Sequence, residues 1–189
     1  AETILVATGG RPSLPQVPGI EHAITSDQAL DLMSLPDRIV IVGGGYIAVE
    51  FAGIFNALGV EVVQVVRGGG ILRGFDDDVR ETLAEAMAAR GVDLRASTQV
   101  RSIGRRGAGY AVALSDGSEV EADLVMYATG RTPNTAGLGL DKAGVVLNSG
   151  GAVMVDRLSR TSVRNIWAVG DVTDRVNLTP VAIGEAMAF

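Results

Sequence analysis

The part of the sequence that most constrains the fold is residues 38–66, which read RIVIVGGGYIAVEFAGIFNALGVEVVQVV. The run begins with a short β-branched segment of the kind expected for a parallel strand covered on both faces. Three glycines then lead into a helix from about Gly45, which ends where Gly59 supplies a C-terminal cap. Residues 60–66 form a second apolar strand, and a crossover between parallel strands is right-handed. The run therefore predicts a βαβ unit.

The residues after this unit predict one more helix and several further strands. Asp76 or Asp77 can cap the helix, whose apolar face is marked at helical spacing by Val79, Leu83 and Met87. Strand-like segments follow up to residue 130, and the sequence SDGS makes a hairpin turn between two of them. The predicted fold class is α/β, with a Rossmann-like parallel sheet, helices on its faces and an antiparallel β-meander.

Composition and charge argue against several classes of protein. The 189 residues include 25 glycines, and 47% hydrophobic with 20% charged residues is typical of a soluble α/β protein. A formal net charge of −6 argues against nucleic acid or an acidic membrane surface as a partner. Residues 39–60 are apolar, but Glu50, Asn56 and the glycines interrupt them, which disfavours a membrane span. With no cysteine and one histidine, we predict no disulfide, no redox thiol and no metal site.

Two similar stretches predict how the chain is divided. ILVATGGRPSLP at residues 4–15 and VMYATGRTPNTA at residues 125–136 share an apolar strand, Ala-Thr-Gly, a basic residue and a proline. A strand that ends in a sharp turn and a proline is a common way for a chain to leave a domain. We interpret residues 11–130 as an inserted domain, and residues 1–10 and 131–189 as two segments of a second one. Coincidence between two strand ends is the alternative.

The glycine turn of the βαβ unit carries a phosphate-binding pattern. Gly43, Gly45 and Ala48 form G-x-G-x-x-A, in which the glycines permit a tight turn and a close backbone approach, and the alanine permits close helix packing. Such a pattern is weak alone. Its position between an apolar strand and a helix makes it a prediction of dinucleotide binding.

Two arginines predict which dinucleotide is bound. A fold that prefers NAD usually ends its second strand in an acid, which accepts from the ribose 2′-hydroxyl. Here the strand ends in Val66, Arg67 follows it, and Arg73 comes six residues later across a glycine-rich loop. Two guanidinium groups suit a dianionic 2′-phosphate, so NADPH is the predicted cofactor. The alternative is a pair of solvated loop arginines.

At this point the sequence resembles the pyridine nucleotide–disulfide oxidoreductases, a family of flavin enzymes whose domains bind FAD and NAD(P). The resemblance covers essentially the whole chain, through GGGYIAVEFAGIF, VVRGGGILRGFDDDVR, YATGRTPNT and IWAVGDVTDRVNLTPVAIGEAMAF. The paired arginines and LRGFD favour the branch that reduces glutathione disulfide with NADPH over the lipoamide dehydrogenases, which carry an acid at the end of that strand. LRGFD and GDVTDRV leave the trypanothione-reducing branch as the nearest alternative.

The resemblance implies a role for each residue of an NADPH site. Tyr46 would be an aromatic gate that moves aside for the nicotinamide, and Glu50 would lie beside the carboxamide. Arg67 and Arg73 would contact the 2′-phosphate, and Gly130 would lie at the edge of the cofactor. The residues that would line the pyrophosphate and ribose are Gly43, Gly44, Gly45 and Ile47. Without the resemblance, Tyr46 and Glu50 would be an ordinary helix face one turn apart.

The same resemblance implies contacts to FAD. Asp171 would accept from the ribityl chain, Leu178 and Thr179 would lie near the isoalloxazine ring, and Thr8 and Gly9 would border the flavin on the other side. A helix that begins at Thr179 would direct its positive end towards the negative charge that develops on the flavin. Asp171 has a simpler alternative role as a turn residue after a strand.

Three features of the family have no counterpart in these residues: an N-terminal FAD-binding glycine motif, a redox cysteine pair and a catalytic His–Glu pair. We therefore expect an excised portion of such an enzyme, with no catalytic residue of its own and no turnover alone. The complete enzyme would pass electrons from NADPH through FAD and an enzyme disulfide to glutathione disulfide, as a cytoplasmic homodimer. Alternatives are a flavin reductase acting on another disulfide or a metal ion, and a stand-alone nucleotide-binding module without catalysis.

Overall fold

The computed structural model describes all 189 residues, which divide into two compact units, Pro12–Gly130 and a second unit built from Ala1–Arg11 with Arg131–Phe189. The strands are β1 (Ile4–Val6), β2 (Gly10–Pro12), β3 (Arg38–Val42), β4 (Glu61–Val65), β5 (Asp93–Arg95), β6 (Val100–Arg106), β7 (Gly109–Leu114), β8 (Glu119–Ala122), β9 (Leu124–Tyr127), β10 (Arg131–Pro133) and β11 (Ile166–Ala168). The α-helices are α1 (Ser26–Ala29), α2 (Tyr46–Ala57), α3 (Asp77–Ala89) and α4 (Thr179–Ala188). Single turns of 3-10 helix cover Ile20–His22 and Gly170–Thr173.

The unit Pro12–Gly130 is built around a four-stranded parallel sheet in the order β5-β4-β3-β9. Its two central strands have the sequences RIVIV and EVVQV, and their apolar, β-branched character suits a sheet that is buried on both faces. Helix α2 connects β3 to β4, and α3 connects β4 to β5. The predicted α/β fold with a Rossmann-like parallel sheet is confirmed.

Local sequence signals set the ends of both connecting helices. Helix α2 begins directly after Gly45 and is followed by Gly59, whose φ of 86° is the left-handed conformation expected of a C-terminal cap. Asp76 caps α3, and its carboxylate accepts two backbone N–H groups of the first turn at 3.1 and 3.4 Å. Met87 lies in the core as predicted. The prediction was wrong at Val79, which is 52% exposed because the first turn of α3 lies outside the core cluster.

The remaining strands of this unit form the antiparallel meander β6-β7-β8, as predicted. The meander covers one face of the parallel sheet, and the helices cover the other. Alternate residues of β3 therefore enter different cores: Ile39 and Ile41 pack towards α2 and α3, and Val40 and Val42 pack towards the meander. This alternation follows from the twofold period of a strand.

The second unit has a smaller core of its own. Strands β1 and β11 are parallel, with Ile4 opposite Ile166, and β2 pairs with β10. Val6, Val153 and Val172 are among the apolar residues buried there. Helix α4 begins at Thr179, the residue at which the sequence predicted a helix start. None of the four α-helices has the length and apolarity that a membrane crossing needs.

One ion pair aligns the first strand of the parallel sheet with the last. The backbone N–H of Arg38 donates to Asp123 Oδ2 at 2.9 Å, and its guanidinium Nη2 donates to Oδ1 at 3.0 Å. The backbone N–H of Asp123 returns a bond to the carbonyl of Arg38 at 3.0 Å. Arg38 Nη1 also reaches Glu121 in β8 at 3.2 Å, so the same guanidinium links the meander to the sheet. The Arg38 side chain lowers the pKa of Asp123 from its ordinary value.

We expect the replacement Asp123→Asn to change the acid stability of the chain. Because the pKa of Asp123 is lowered in the folded state, its contribution is present above the unfolded pKa of about 4 and is lost as the pH falls through the folded pKa. The free energy of unfolding should therefore fall less in the variant than in the wild type between about pH 5 and pH 2.5. Urea unfolding at several pH values measures this difference.

Asp31→Asn is the matched control, because Asp31 is an exposed carboxylate that forms no ion pair. The free energy of unfolding of the Asp31→Asn variant should change with pH in the same way as that of the wild type. A parallel pH dependence for wild type and Asp123→Asn would show that the Arg38–Asp123 contact does not stabilise the fold.

Candidate dinucleotide-binding site

The glycine turn lies at the carboxyl end of β3, next to the carboxyl ends of β4 and β9. Gly43 has a φ of 145°, and its N–H donates to the carbonyl of Val65 at 3.0 Å. A Cβ added at Gly43 would lie 2.3 Å from the carbonyl oxygen of Ala128 and 3.2 Å from Cβ of Ala48. Both the conformation and the close packing therefore require glycine at this position.

Gly45 occupies a different environment from Gly43. It is the residue before α2, with a φ of −81°, and no side chain caps the start of this helix. An added Cβ at Gly45 would meet no atom within 4 Å. The N–H groups of the first turn of α2, which have no partner within the helix, therefore border open space. A helix start of this kind attracts an anionic group through its N–H groups and its dipole.

Gly44 joins the glycine turn to the arginine loop, which we define as residues 67–75 between β4 and α3. The carbonyl of Gly44 accepts the N–H of Leu72 at 2.6 Å. A Cβ at Gly44 would lie 3.5 Å from the carbonyl oxygen of Gly70 and 3.7 Å from Cα of Ile71, so the loop packs directly against the turn. Ile71 and Leu72 are buried, at 1% and 7% exposure, and belong to the core cluster beneath α2 and α3. The loop is thus part of the packed structure.

Further contacts fix the course of the arginine loop. The carbonyl of Gly68 accepts the N–H of Ser97 at 2.7 Å, and the carbonyl of Ile71 accepts Nε of Arg80 at 2.8 Å. Leu72 has a φ of 51°, a conformation that non-glycine residues rarely adopt. Such a conformation persists only where the surrounding structure fixes it.

Arg67 and Arg73, which the loop carries, are both exposed and form no ion pair. Other arginines of the same unit behave differently, since Arg38, Arg95 and Arg106 each contact carboxylates. The loop therefore presents two guanidinium groups without protein partners in a chain whose net charge is −6.

The structure brings the residues predicted for NADPH to one edge of the parallel sheet. Tyr46, in the first turn of α2, is 45% exposed, and Glu50, one turn later, is exposed as well. Ile47 differs from them because it packs against the core. Gly130 follows β9 with a φ of 143° and open space around it. The residues at this edge are Gly43, Gly44, Gly45, Tyr46, Ile47, Glu50, Arg67, Arg73 and Gly130.

Gln64 supports the glycine turn, and sequence reasoning missed it. Its side chain is fully buried in β4, and Nε2 donates to the carbonyl of Gly43 at 3.0 Å. Its Oε1 has no hydrogen-bond partner. A buried polar group that lacks part of its hydrogen bonding is costly, so such a residue is notable in a strand core. The available signal was the single polar residue inside the apolar run VVQVV.

Asp171, Thr8 and Gly9, which were predicted for FAD, lie in the second unit. Asp171 belongs to the 3-10 turn Gly170–Thr173, and its carboxylate accepts no side-chain hydrogen bond. A Cβ added to Gly10 would lie 3.6 Å from Cβ of Asp171. Thr8 and Gly9 lead into β2: the hydroxyl of Thr8 donates to the carbonyl of Asn134 at 2.8 Å, and Gly9 has a φ of 67°. The structure thus brings Asp171 close to the strand that follows Thr8 and Gly9.

Leu178 and Thr179 are exposed at the start of α4, which no side chain caps. This helix is attached to the turn that holds Asp171. Glu185 of α4 accepts the N–H of Gly170 at 2.8 Å through Oε2 and binds Arg175 at 2.9 Å through Oε1. Both carboxylate oxygens of Glu185 are therefore used to fix the turn beside the helix.

The whole fold matches those of solved flavoprotein disulfide reductases. A Cu(II) complex of the HOCl-induced flavoprotein disulfide reductase RclA from Escherichia coli matches with a TM-score of 0.94 and 33% identity, over 99% of this chain and 44% of that one. LpdA from Mycobacterium tuberculosis matches with a TM-score of 0.86 and 37% identity, over 100% of this chain and 41% of that one. The structure therefore has the fold of the FAD- and NAD(P)-binding domains of flavoprotein disulfide reductases.

The family is shown by sequence as well. The chain belongs to the pyridine nucleotide-disulphide oxidoreductase family, whose model matches residues 1–186. Glutathione reductase from Burkholderia cepacia is 54% identical over 189 residues, which are 100% of this chain and 42% of that protein. Trypanothione reductase from Leishmania donovani is 50% identical over 188 residues, which are 97% of this chain and 38% of that protein. The chain spans less than half of the length of each of these relatives.

Gly43→Ala and Gly45→Ala should have different effects on stability. The first forces a Cβ against the carbonyl of Ala128 in an unfavourable conformation, and we expect it to destabilise the fold by about 2–6 kcal/mol. The second meets no atom, so it should cost less than about 1 kcal/mol, the usual effect of alanine before a helix. Urea unfolding of both variants measures the two values, and equal losses would contradict this account of the turn.

Proposed function

We propose that the unit Pro12–Gly130 binds NADPH at the edge formed by the glycine turn and the arginine loop. The observation that carries the proposal is the pair of exposed, unpaired guanidinium groups of Arg67 and Arg73 on a loop that is hydrogen-bonded to the glycine turn. The open space at Gly45 supports it, because a pyrophosphate needs a close approach to backbone N–H groups.

The proposal assigns a task to each part of the site. The start of α2 holds the pyrophosphate, with Gly43, Gly44 and Gly45 permitting close contact, and Ile47 borders the ribose. Arg67 and Arg73 bind the 2′-phosphate by charge-assisted contacts. Tyr46, exposed in the first turn of α2, covers the nicotinamide pocket and moves aside for the ring, while Glu50 orients the carboxamide. Gly130 borders the cofactor at the end of β9.

We further propose that residues 11–130 are an NADPH domain and that residues 1–10 and 131–189 are two segments of an FAD domain. The division of the chain into two compact units supports this proposal. The flavin would be held by Asp171, whose carboxylate has no side-chain partner. The residues that would border it are Thr8, Gly9, Leu178 and Thr179. The uncapped start of α4 offers a positive dipole end to the charge that develops on the flavin.

The proposed activity is the reduction of glutathione disulfide. The unit Pro12–Gly130 would hold NADPH as the hydride donor, Asp171 and its neighbours would hold the FAD that accepts the hydride, and an enzyme disulfide would then be needed to pass the electrons to the substrate. This chain supplies the groups that bind and orient the donor, and it contains no cysteine for the later steps. Glutathione reductases from three organisms, at 46–54% identity over the whole chain, support this choice. A cytoplasmic location and a homodimer are parts of the same proposal.

Reduction of trypanothione disulfide is the second candidate. Trypanothione reductases are 46–50% identical to this chain, which overlaps the range of the glutathione reductases. Assaying the full-length protein with NADPH and each disulfide in turn separates the two, and it also tests for a stand-alone module, for which neither disulfide would be reduced. We expect turnover with glutathione disulfide, and turnover with trypanothione disulfide alone would support the second candidate.

The double variant Arg67→Ala/Arg73→Ala tests the cofactor assignment. Each charge-assisted contact contributes roughly 1.5–3 kcal/mol, so the loss of both should weaken NADPH binding by about two to four orders of magnitude. NADH has no 2′-phosphate and should be little affected. Calorimetric titration of the chain with each cofactor measures both dissociation constants.

The matched control is Arg90→Ala/Arg101→Ala, which removes the same charge from two exposed arginines of the same unit that form no ion pair. It should leave NADPH binding within about twofold of the wild type, since general electrostatic attraction is screened by salt. Equal losses for NADPH and NADH in the Arg67/Arg73 variant would overturn the 2′-phosphate assignment.

A further inference from the structure

Arg80 contacts the arginine loop from the side of α3. It lies in the first turn of that helix, and its side chain extends back to the loop, where Nε donates to the carbonyl of Ile71 at 2.8 Å. Nη1 contacts Asp77 Oδ1 at 2.5 Å, and Nη2 lies 3.5 Å from the position of a Cβ on Gly70. Its side chain is 27% exposed. Arg80 therefore differs from Arg67 and Arg73, which have no protein partner.

The contact meets the loop at the Ile71–Leu72 peptide, whose N–H donates to the carbonyl of Gly44 on the opposite side. Bonds from the backbone N–H groups of Ser97 and Leu72 fix the loop at Gly68 and at Leu72 itself. Between these two points lie Gly69, Gly70 and the buried Ile71, and glycine has the largest conformational freedom to lose on ordering. The bond from Arg80 to the carbonyl of Ile71 restricts the end of this glycine run. It also fixes the peptide that enters the left-handed conformation at Leu72.

We propose that Arg80 is a positioning residue that determines the preference for NADPH over NADH, and this inference rests on the proposed function. Arg80 holds the arginine loop in the shape that presents Arg67 and Arg73 together, so that both can bind one phosphate dianion without first being ordered. Ordering of a loop before binding raises affinity because the entropic cost is not incurred on association. Because Nη1 of Arg80 is paired with Asp77 and Nε is bonded to the loop, we assign the positioning role to the hydrogen bond to Ile71.

The test compares Arg80→Met with Arg80→Gln. The amide nitrogen of glutamine is separated from Cα by the same number of bonds as Nε of arginine, so glutamine can donate to Ile71 without a charge. Methionine has a similar length and no donor. We expect Arg80→Met to weaken NADPH binding by about tenfold and NADH binding by less than about twofold. Arg80→Gln should recover most of the lost NADPH affinity.

The salt dependence of binding separates positioning from direct contact with the phosphate. If Arg80 only positions the loop, the salt dependence of the NADPH dissociation constant in Arg80→Met should match that of the wild type. Arg67→Ala should show a weaker salt dependence, because it removes a charge that meets the phosphate. A reduced salt dependence in Arg80→Met, or equal weakness of Arg80→Gln and Arg80→Met, would overturn the positioning role.

Urea unfolding of the same sample shows whether Arg80→Met is poorly folded. A third variant keeps the test decisive in that case. Gly69 has open space around it and no left-handed φ, so Gly69→Ala stiffens the loop without a clash. In the Arg80→Met background it should restore part of the NADPH affinity, and no restoration counts against the proposal. If the Arg67/Arg73 variant loses its preference for NADPH over NADH while Arg80→Met binds NADPH as tightly as the wild type, this inference alone is overturned. A wild-type chain that binds NADPH no better than NADH would overturn the proposed function.

Discussion

The hydrogen bond from the N–H of Leu72 to the carbonyl of Gly44, at 2.6 Å, is the contact on which the candidate site depends. It joins a turn that is fixed by steric exclusion to a loop that carries the two free guanidinium groups. Gly43 must be glycine because of Ala128, Gly44 must be small because of Val66, and the loop follows the surface that these two residues leave. The candidate anion site is consequently framed by backbone positions, and the guanidinium groups of Arg67 and Arg73 supply its positive charge.

The core beneath the loop makes this arrangement stiff. Ile71 and Leu72 place their side chains in the cluster shared by β3, β4, α2 and α3, so displacement of the loop would expose apolar surface to water. The buried amide of Gln64 adds a contact below the turn. Burial therefore holds the middle of the loop, while the exposed Gly68 and Gly69 before it keep the backbone accessible to a ligand. A binding site that combines a fixed frame with an open surface is typical of loops on a rigid α/β scaffold.

Sequence predicted the parts of this structure that local chemistry determines. The βαβ unit, the cap at Asp76 and the hairpin turn follow from periodicity and from residues with strong local preferences, whereas the start of α4 at Thr179 was implied by the family resemblance. The left-handed Leu72 did not follow, because glycine or asparagine is the residue expected in that conformation. The backward reach of Arg80 and the burial of Gln64 also depend on elements distant in sequence, whose arrangement no local pattern specifies. Val79 shows the same limit, since periodicity gives a helical face without showing where the core ends.

The pairing of β1 with β11 has a consequence for the order in which the chain can fold. Ile4 lies opposite Ile166, so β1 must wait for this partner until about 160 residues later in synthesis. In the unit Pro12–Gly130, β3, β4 and β5 pair with partners that are much closer in sequence. Their pairing can therefore form during that interval. Until β11 is synthesised, β1 lacks this partner and the edge that β11 covers is open to other pairing. The unit made of two segments is therefore expected to form after the unit Pro12–Gly130 and to be the more exposed of the two to misassembly during synthesis.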